Sequence, residues 1–143
     1  MEGNMKKGIT IFIGIIIVIV IIALVGILTF NKQFKVLLED VDKEYASIEE
    51  IDMTQIQDGE YNYRFGKIPV FVDLKVKVKD HTIESITINE QSSGPGYDAL
   101  ETIDRILSKQ QPKVDAVSGA TISSKVIMIT TYKALKECDS PLR

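Results

Sequence analysis

The sequence predicts an α+β protein: an N-terminal single transmembrane helix followed by a small domain of antiparallel sheet plus helices. Three observations carry this reading. No residue from Gly8 to Phe30 is charged. Val70, Val72, Leu74, Val76 and Val78 alternate with Phe71, Asp73, Lys75, Lys77 and Lys79, a period of two that marks a half-buried strand. Two later segments repeat apolar residues at helical spacing. The organisation that follows is a tail and anchor over 1–30, a stalk or linker over 31–56 and a domain over 57–143.

The bulk numbers set the bounds. A chain of 143 residues has room for one membrane element and one small domain, not two full domains. A formal charge of −3 gives no electrostatic footprint for nucleic acid, so no nucleic-acid partner is expected. Cys138 is the single cysteine and cannot close an intramolecular disulfide. Its plain reading is a small apolar residue on a helix. His81 is the single histidine, and without a Cys/His cluster no metal site is expected. No pair of carboxylates suggests a turnover enzyme, and no catalytic residue is assigned.

The uncharged run is centred on Ile15-Ile16-Ile17-Val18-Ile19-Val20-Ile21-Ile22. As a helix rising about 1.5 Å per residue it exceeds the roughly 30 Å hydrocarbon core. Isoleucine and valine are modest helix formers in water, but in lipid the backbone must satisfy itself. The rival is a cleaved signal peptide, whose apolar stretch is shorter and ends in a small-x-small site; Leu28-Thr29-Phe30 offers no such site. Orientation is not set by charge, because Lys6 and Lys7 precede the helix while Lys32 and Lys35 follow it. A long following domain can translocate regardless of charge. A single-pass cell-membrane protein with its C-terminal domain on the extracytoplasmic side is the expectation.

After the anchor, 31–53 is polar with scattered apolar residues, as in a helical extension or a stalk. Asp58-Gly59 is a turn dipeptide, and Glu60 to Phe65 forms a candidate strand that Gly66-Lys67-Ile68-Pro69 breaks. The long alternating strand follows, with a hairpin turn at Asp80-His81. Thr82 to Asn89 returns as a second strand; Ile83 has the opposite parity to Ile86 and Ile88, so a bulge or an early bend is expected there. Ser92-Ser93-Gly94-Pro95-Gly96 reads as a loop. A helix is predicted from about Tyr97 to Lys109, with Leu100, Ile103, Ile106 and Leu107 opposite Glu101, Asp104, Arg105 and Lys109. Gln110-Gln111-Pro112 ends it. A last helix runs from Ser123 or Ser124 to Glu137, with Ile127, Thr131, Ala134, Leu135 and Cys138 on one face.

The passage that carries chemistry is Val114-Asp115-Ala116-Val117-Ser118-Gly119-Ala120-Thr121-Ile122-Ser123-Ser124. It is a glycine-containing loop running into a helix N-terminus, where free backbone N–H groups and the positive dipole end suit a phosphate. Gly119 and Ala120 lack bulk, so a phosphate can approach the backbone closely. Ser118, Thr121, Ser123 and Ser124 add hydroxyl donors, and Lys125 follows with a positive charge. On spacing alone an ordinary helix start explains the same residues, since Ser and Thr are favoured caps. The P-loop spacing is absent.

Asp115-x-x-Ser118-Gly119-Ala120-Thr121 resembles the covalent flavinylation motif of the FMN-binding domain family. That family includes the G subunit of the Rnf complex and the C subunit of the sodium-pumping NADH:quinone reductase. The resemblance spans about Gln57 to Leu135 and includes the Asp58-Gly59-x-Tyr61 start, the alternating strand, the hairpin and the preceding helix. It implies FMN as a covalent cofactor, with the acceptor threonine at Thr121 and the flavin phosphate as its ester. It assigns Asp115 to recognition or positioning of the loop by the modifying enzyme, and Ser118, Gly119 and Ala120 to the tight backbone around the phosphate. It also implies an FAD:protein FMN transferase as partner, which needs magnesium. A threonine hydroxyl is a weak nucleophile, and no histidine lies near Thr121 in sequence, which fits chemistry supplied in trans.

The hairpin departs from many relatives, which show Asp-Gly where this chain has Asp80-His81. Gly94-Pro95-Gly96 sits where relatives have sequence that approaches the flavin, and it is assigned to line the isoalloxazine ring. Tyr61, Tyr63, Phe65 and Tyr97 are candidates to stack on the ring, with core packing the alternative for each. The resemblance thus implies an anchored flavoprotein relaying electrons between membrane redox proteins. The alternatives are a sensor that binds flavin or another phosphate ligand non-covalently, and a structural subunit in which the motif is only a helix start.

Overall fold

The computed structural model describes residues 2–94 and 99–137. The chain divides into two units, one up to Val36 and one from Leu37 onward. Pro95 and Gly96 of the expected ring-lining loop, the stacking candidate Tyr97 and Cys138 lie outside the described residues, as does the start assigned to the first helix after the sheet.

The first unit belongs to helix α1, Glu2–Ala46. Every residue from Ile11 to Phe30 is exposed, and an 18-residue stretch of this helix has a mean hydropathy of 3.6. This is a helix long and apolar enough to cross a membrane.

The second unit begins before Gln57. Leu37 and Val41 lie one helical turn apart on α1, and both are buried, as are Ile48 and Ile51 beyond it. Residues assigned to a stalk thus contribute to the domain core. Lys125 Nζ on a later helix lies 2.7 Å from Asp42, and Lys133 Nζ lies 3.0 Å from Glu44. Tyr45 is flanked by Lys113 and Lys125, at 5.0 and 5.1 Å from its ring centroid.

Three antiparallel strands follow in the order β1 (Gly59–Lys67), β2 (Val70–Lys79), β3 (Thr82–Ser93). Gly66 and Lys67 pair with Phe71 and Val70, so β1 continues to Lys67 and Ile68-Pro69 makes the turn. Gly66 has φ +94°, and an added Cβ would lie 2.5 Å from the Val70 carbonyl oxygen. On β2, Val72, Leu74, Val76 and Val78 are buried, as the alternation requires. Phe71 is buried too, although it shares the lysine face, because the Arg64 guanidinium covers its ring at 4.3 Å.

The β2–β3 register skips a residue between Lys77 and Val78 and again between Asp73 and Leu74. The first skip passes over Glu84 and brings Ile83 onto the buried side with Ile86, so of the two ways to reconcile the parity of Ile83 the strand takes the bulge. Glu84 faces water and pairs with Lys77 at 2.6 Å. Lys77 therefore holds its carboxyl below the usual carboxylate range. The second skip passes over Asn89 and carries β3 on to Ser93, so Ser92 and Ser93 are strand, paired with Phe71 and Val70, and not loop. At the hairpin, Asp80 and His81 have φ of 50° and 57°, the geometry of the tight turn that matches strand twist. Asp58 caps it. Its carboxylate accepts the amides of Asp80 at 2.9 Å and His81 at 3.2 Å, and His81 Nδ1 lies 2.9 Å from the Ile56 carbonyl oxygen.

Helix α2 (Glu101–Lys109) packs on β3 and on α3 (Thr121–Glu137), and α3 lies across β1 and β2. Ile127, Thr131, Ala134 and Leu135 are all buried, but so is the whole run from Val126 to Thr131. A helix covered by the sheet, by α2 and by the end of α1 has no polar face there.

The end of α2 fixes what comes next. Gln110 takes a left-handed conformation with φ 56°. Its side-chain amide accepts from Ile83 N–H at 2.7 Å and donates to Ile83 C=O at 3.1 Å. Gln111 does the same to Ile51, with both bonds 2.9 Å. Each amide mimics a strand neighbour, tying the chain after α2 to β3 and to the segment after α1.

Two predictions follow from these contacts. Gln110→Ala leaves the Ile83 pair unmade and lowers the unfolding free energy by about 1–3 kcal/mol, measured by denaturation of the full chain in detergent. The amides of Asp80 and His81 hold the Asp58 carboxyl below its ordinary value of 3.8. A depressed carboxyl contributes stability above the ordinary value and loses it as pH falls through the lowered one. Asp58→Ala therefore lowers the melting temperature at neutral pH, and its gap from the wild type closes in acid. A gap unchanged at about pH 2 contradicts this account.

Candidate functional site

The connection between α2 and α3 is tied at both ends. Val117 to Ala120 forms a turn, in which Ala120 N–H donates to Val117 C=O at 3.0 Å. Gly119 has φ +80°, a conformation glycine adopts without the steric cost other residues meet. Ser118 and Gly119 are exposed at its tip, and Thr121 is exposed at the first position of α3. The helix thus starts before Ser123, the earlier of the two starts the spacing predicts, because Ala120 C=O already accepts Ser124 N–H at 2.9 Å.

That bond puts Ala120 in the capping position, where the preferred residues carry an oxygen that satisfies the amides of the first turn. Alanine has none. The N–H groups of Thr121, Ile122 and Ser123 have no carbonyl partner within an α-helix, and they lie at the positive end of its dipole. The place beside the Thr121 hydroxyl therefore suits an anion. Ala120 is buried, so its small side chain is packed inward beneath the turn. These residues fit a phosphate.

The other expected site residues divide by burial. Ser123 is buried at 5 % exposure and Ser124 at 0 %. The Ser124 hydroxyl is committed to the loop: it accepts Val117 N–H at 3.0 Å and donates to Ala120 C=O at 2.8 Å. Asp115 has an exposed side chain, while its carbonyl faces α2. Lys125 is turned to Asp42 and Tyr45 on the end of α1.

Arg105 was not singled out by sequence, where it reads as one member of the polar face of α2. Its Nη1 donates to the carbonyls of Asp115 at 2.8 Å and Ala116 at 3.1 Å. Its Nε and Nη2 donate to Glu101 Oε1 at 3.2 and 2.7 Å. No local pattern signals a contact with carbonyls in the next loop. Beside it opens a cleft of about 670 Å³, lined by Glu101, Asp104, Arg105, Lys109 and Asp115 among others. Of the aromatic candidates, Tyr61 is buried with its hydroxyl donating to Gln57 C=O at 2.7 Å. Tyr63 and Phe65 are half-buried.

Residues 66–136 match the family of the FMN-binding domain. No curated protein and no solved structure gives a significant match.

Ser124→Ala is expected to cost about 1–3 kcal/mol of stability, because it strips the half-buried Val117 amide of its acceptor. Thermal unfolding measures it, and a variant as stable as the wild type shows that the hydroxyl does not hold the loop.

Proposed function

Residues 66–136 being an FMN-binding domain, we propose that the chain carries FMN covalently through a phosphoester to Thr121 Oγ1. The observation that supports this best is the exposed Thr121 hydroxyl beside helix amides that Ala120 leaves uncapped. Those amides would hold the phosphate oxygens. The Ser118-Gly119 turn keeps side-chain bulk away from them.

The ester forms when Thr121 Oγ1 displaces AMP from the flavin-side phosphorus of FAD. The hydroxyl proton goes to a base supplied by the FAD:protein FMN transferase, with magnesium at that enzyme's site. When bound, the flavin supplies one- and two-electron redox chemistry, and the protein supplies position and electrostatics. Asp115, exposed on the same loop, is a recognition point for the transferase.

The apolar helix supports a membrane anchor, and we place this domain on the extracytoplasmic side because a long following domain can translocate regardless of charge. There it would relay electrons between membrane redox proteins. A reversible site empties when free cofactor falls below its dissociation constant; an ester removes that loss. Anchoring raises the effective concentration of the carrier near partners in the same membrane.

Intact-mass spectrometry of the full chain, coexpressed with a flavin transferase, tests the attachment. The wild type gains the mass of FMN less one water, and Thr121→Ala gains nothing while still folding. An adduct that survives Thr121→Ala places the ester elsewhere. No adduct on the wild type, with the transferase active on another acceptor, favours non-covalent binding of flavin by the same amides.

A further inference from the structure

We infer that Arg105 is a positioning residue that fixes the attachment point of the flavin relative to α2. The inference rests on the covalent reading of Thr121 and adds a residue that the acceptor motif does not contain.

Three contacts of one side chain support it. Glu101, one turn earlier on α2, takes Nε and Nη2 of the guanidinium. Because the guanidinium is planar, that pairing sets the direction of the remaining nitrogen. Nη1 then reaches two successive carbonyls, Asp115 at 2.8 Å and Ala116 at 3.1 Å. Hydrogen bonds from a charged donor are the stronger kind. Arg105 is about one-third exposed, at 34 % of its side chain, so part of this strength survives solvent.

The consequence concerns the whole loop. Arg105 holds 115 and 116; Ser124 holds Val117 and Ala120. Ser118 and Gly119 form the turn between them. Two carbonyl oxygens, the negative ends of their peptide dipoles, are drawn to a cation on α2. The loop therefore reaches Thr121 along a fixed path, and a phosphate on that hydroxyl inherits it. Lysine cannot replace arginine here, since a single ammonium lacks the fork that joins Glu101 to both carbonyls.

Two measurements on the full chain in detergent test this, using Arg105→Met, which keeps the aliphatic stem, and Arg105→Lys. The first is backbone hydrogen exchange over 114–121 in unmodified protein. Arg105→Met should exchange roughly five-fold faster there or more, with Arg105→Lys between it and the wild type and the strands of the sheet unchanged. The second is time-resolved fluorescence anisotropy of the attached flavin. Arg105→Met should keep the mass of the adduct but show a larger fast component, because the tether moves. Unchanged exchange over 114–121 overturns the inference whether or not flavin is attached. Faster exchange with an unchanged anisotropy decay also overturns it, since the loop would then not govern the flavin. A wild type without adduct counts against Thr121 as acceptor, and the exchange result still decides whether Arg105 holds the loop.

Discussion

The site depends on how the chain leaves α2. A helix that ends in a flexible tail could not deliver Thr121 to a fixed place. Here Gln110 turns left-handed and its side chain pairs with Ile83, while Gln111 pairs with Ile51. Two adjacent amides thus anchor one point of the chain to two distant segments. A glutamine amide offers a donor and an acceptor on one rigid plane, as a peptide group does. The loop that follows starts from a place set by β3 and by the segment after α1. Arg105 and Ser124 then carry that order forward to α3.

The start of α3 trades stability for an open end. A helix that size could take Ser, Asn or Asp at its cap, each worth about 1 kcal/mol over alanine. Ala120 forgoes this and leaves the first amides available. The cost is offset next door, where Ser124 closes the loop from inside the helix with a hydroxyl that both donates and accepts. Ordinary helix starts place the oxygen at the cap; this one places it four residues later, buried, where it cannot compete for a ligand. That arrangement leaves the first amides of α3 without a side-chain cap, which spacing alone could not show.

What the sequence made legible is what local pattern governs. The alternation from Val70 to Lys79 named a strand and its buried side, and the parity of Ile83 named a bulge or a bend, found as a bulge at Glu84. The loop and helix around Thr121 were legible as a candidate phosphate site from glycine and hydroxyl content. The rest was set by distant partners. Leu37, Val41, Ile48 and Ile51 are buried among charged neighbours, so their stretch looked like a stalk. Phe71 looked solvent-facing because nothing in its strand announces Arg64. Ser124 looked like a ligand because its two bonds reach back to Val117 and Ala120. The bonds of Arg105 to Asp115 and Ala116, and those of the two glutamines to Ile83 and Ile51, carry no local signal, since these partners lie in other segments.

The charges near the site bear on what a tethered flavin would feel. Lys125, one turn after Thr121, is spent on Asp42, and Lys113 donates to the Ile48 carbonyl at 3.3 Å. Both bind the end of α1 to the domain. The loop itself also carries the Ser118 hydroxyl and the exposed Asp115 carboxylate, and Arg105 is engaged by two carbonyls and Glu101. A phosphate at Thr121 would thus be met by dipoles rather than by a lysine. Dipoles at a helix end act over about one turn and weaken with salt. They can hold a phosphate that is already bonded more readily than they can capture a free one. A weak, open anion site makes a poor reversible flavin binder, but it suffices for a cofactor whose retention comes from a covalent bond. Such a site also leaves the ring free to meet a partner. The modest electrostatics of this helix end are therefore an argument for the ester and for a carrier, and against a site that binds and releases its ligand.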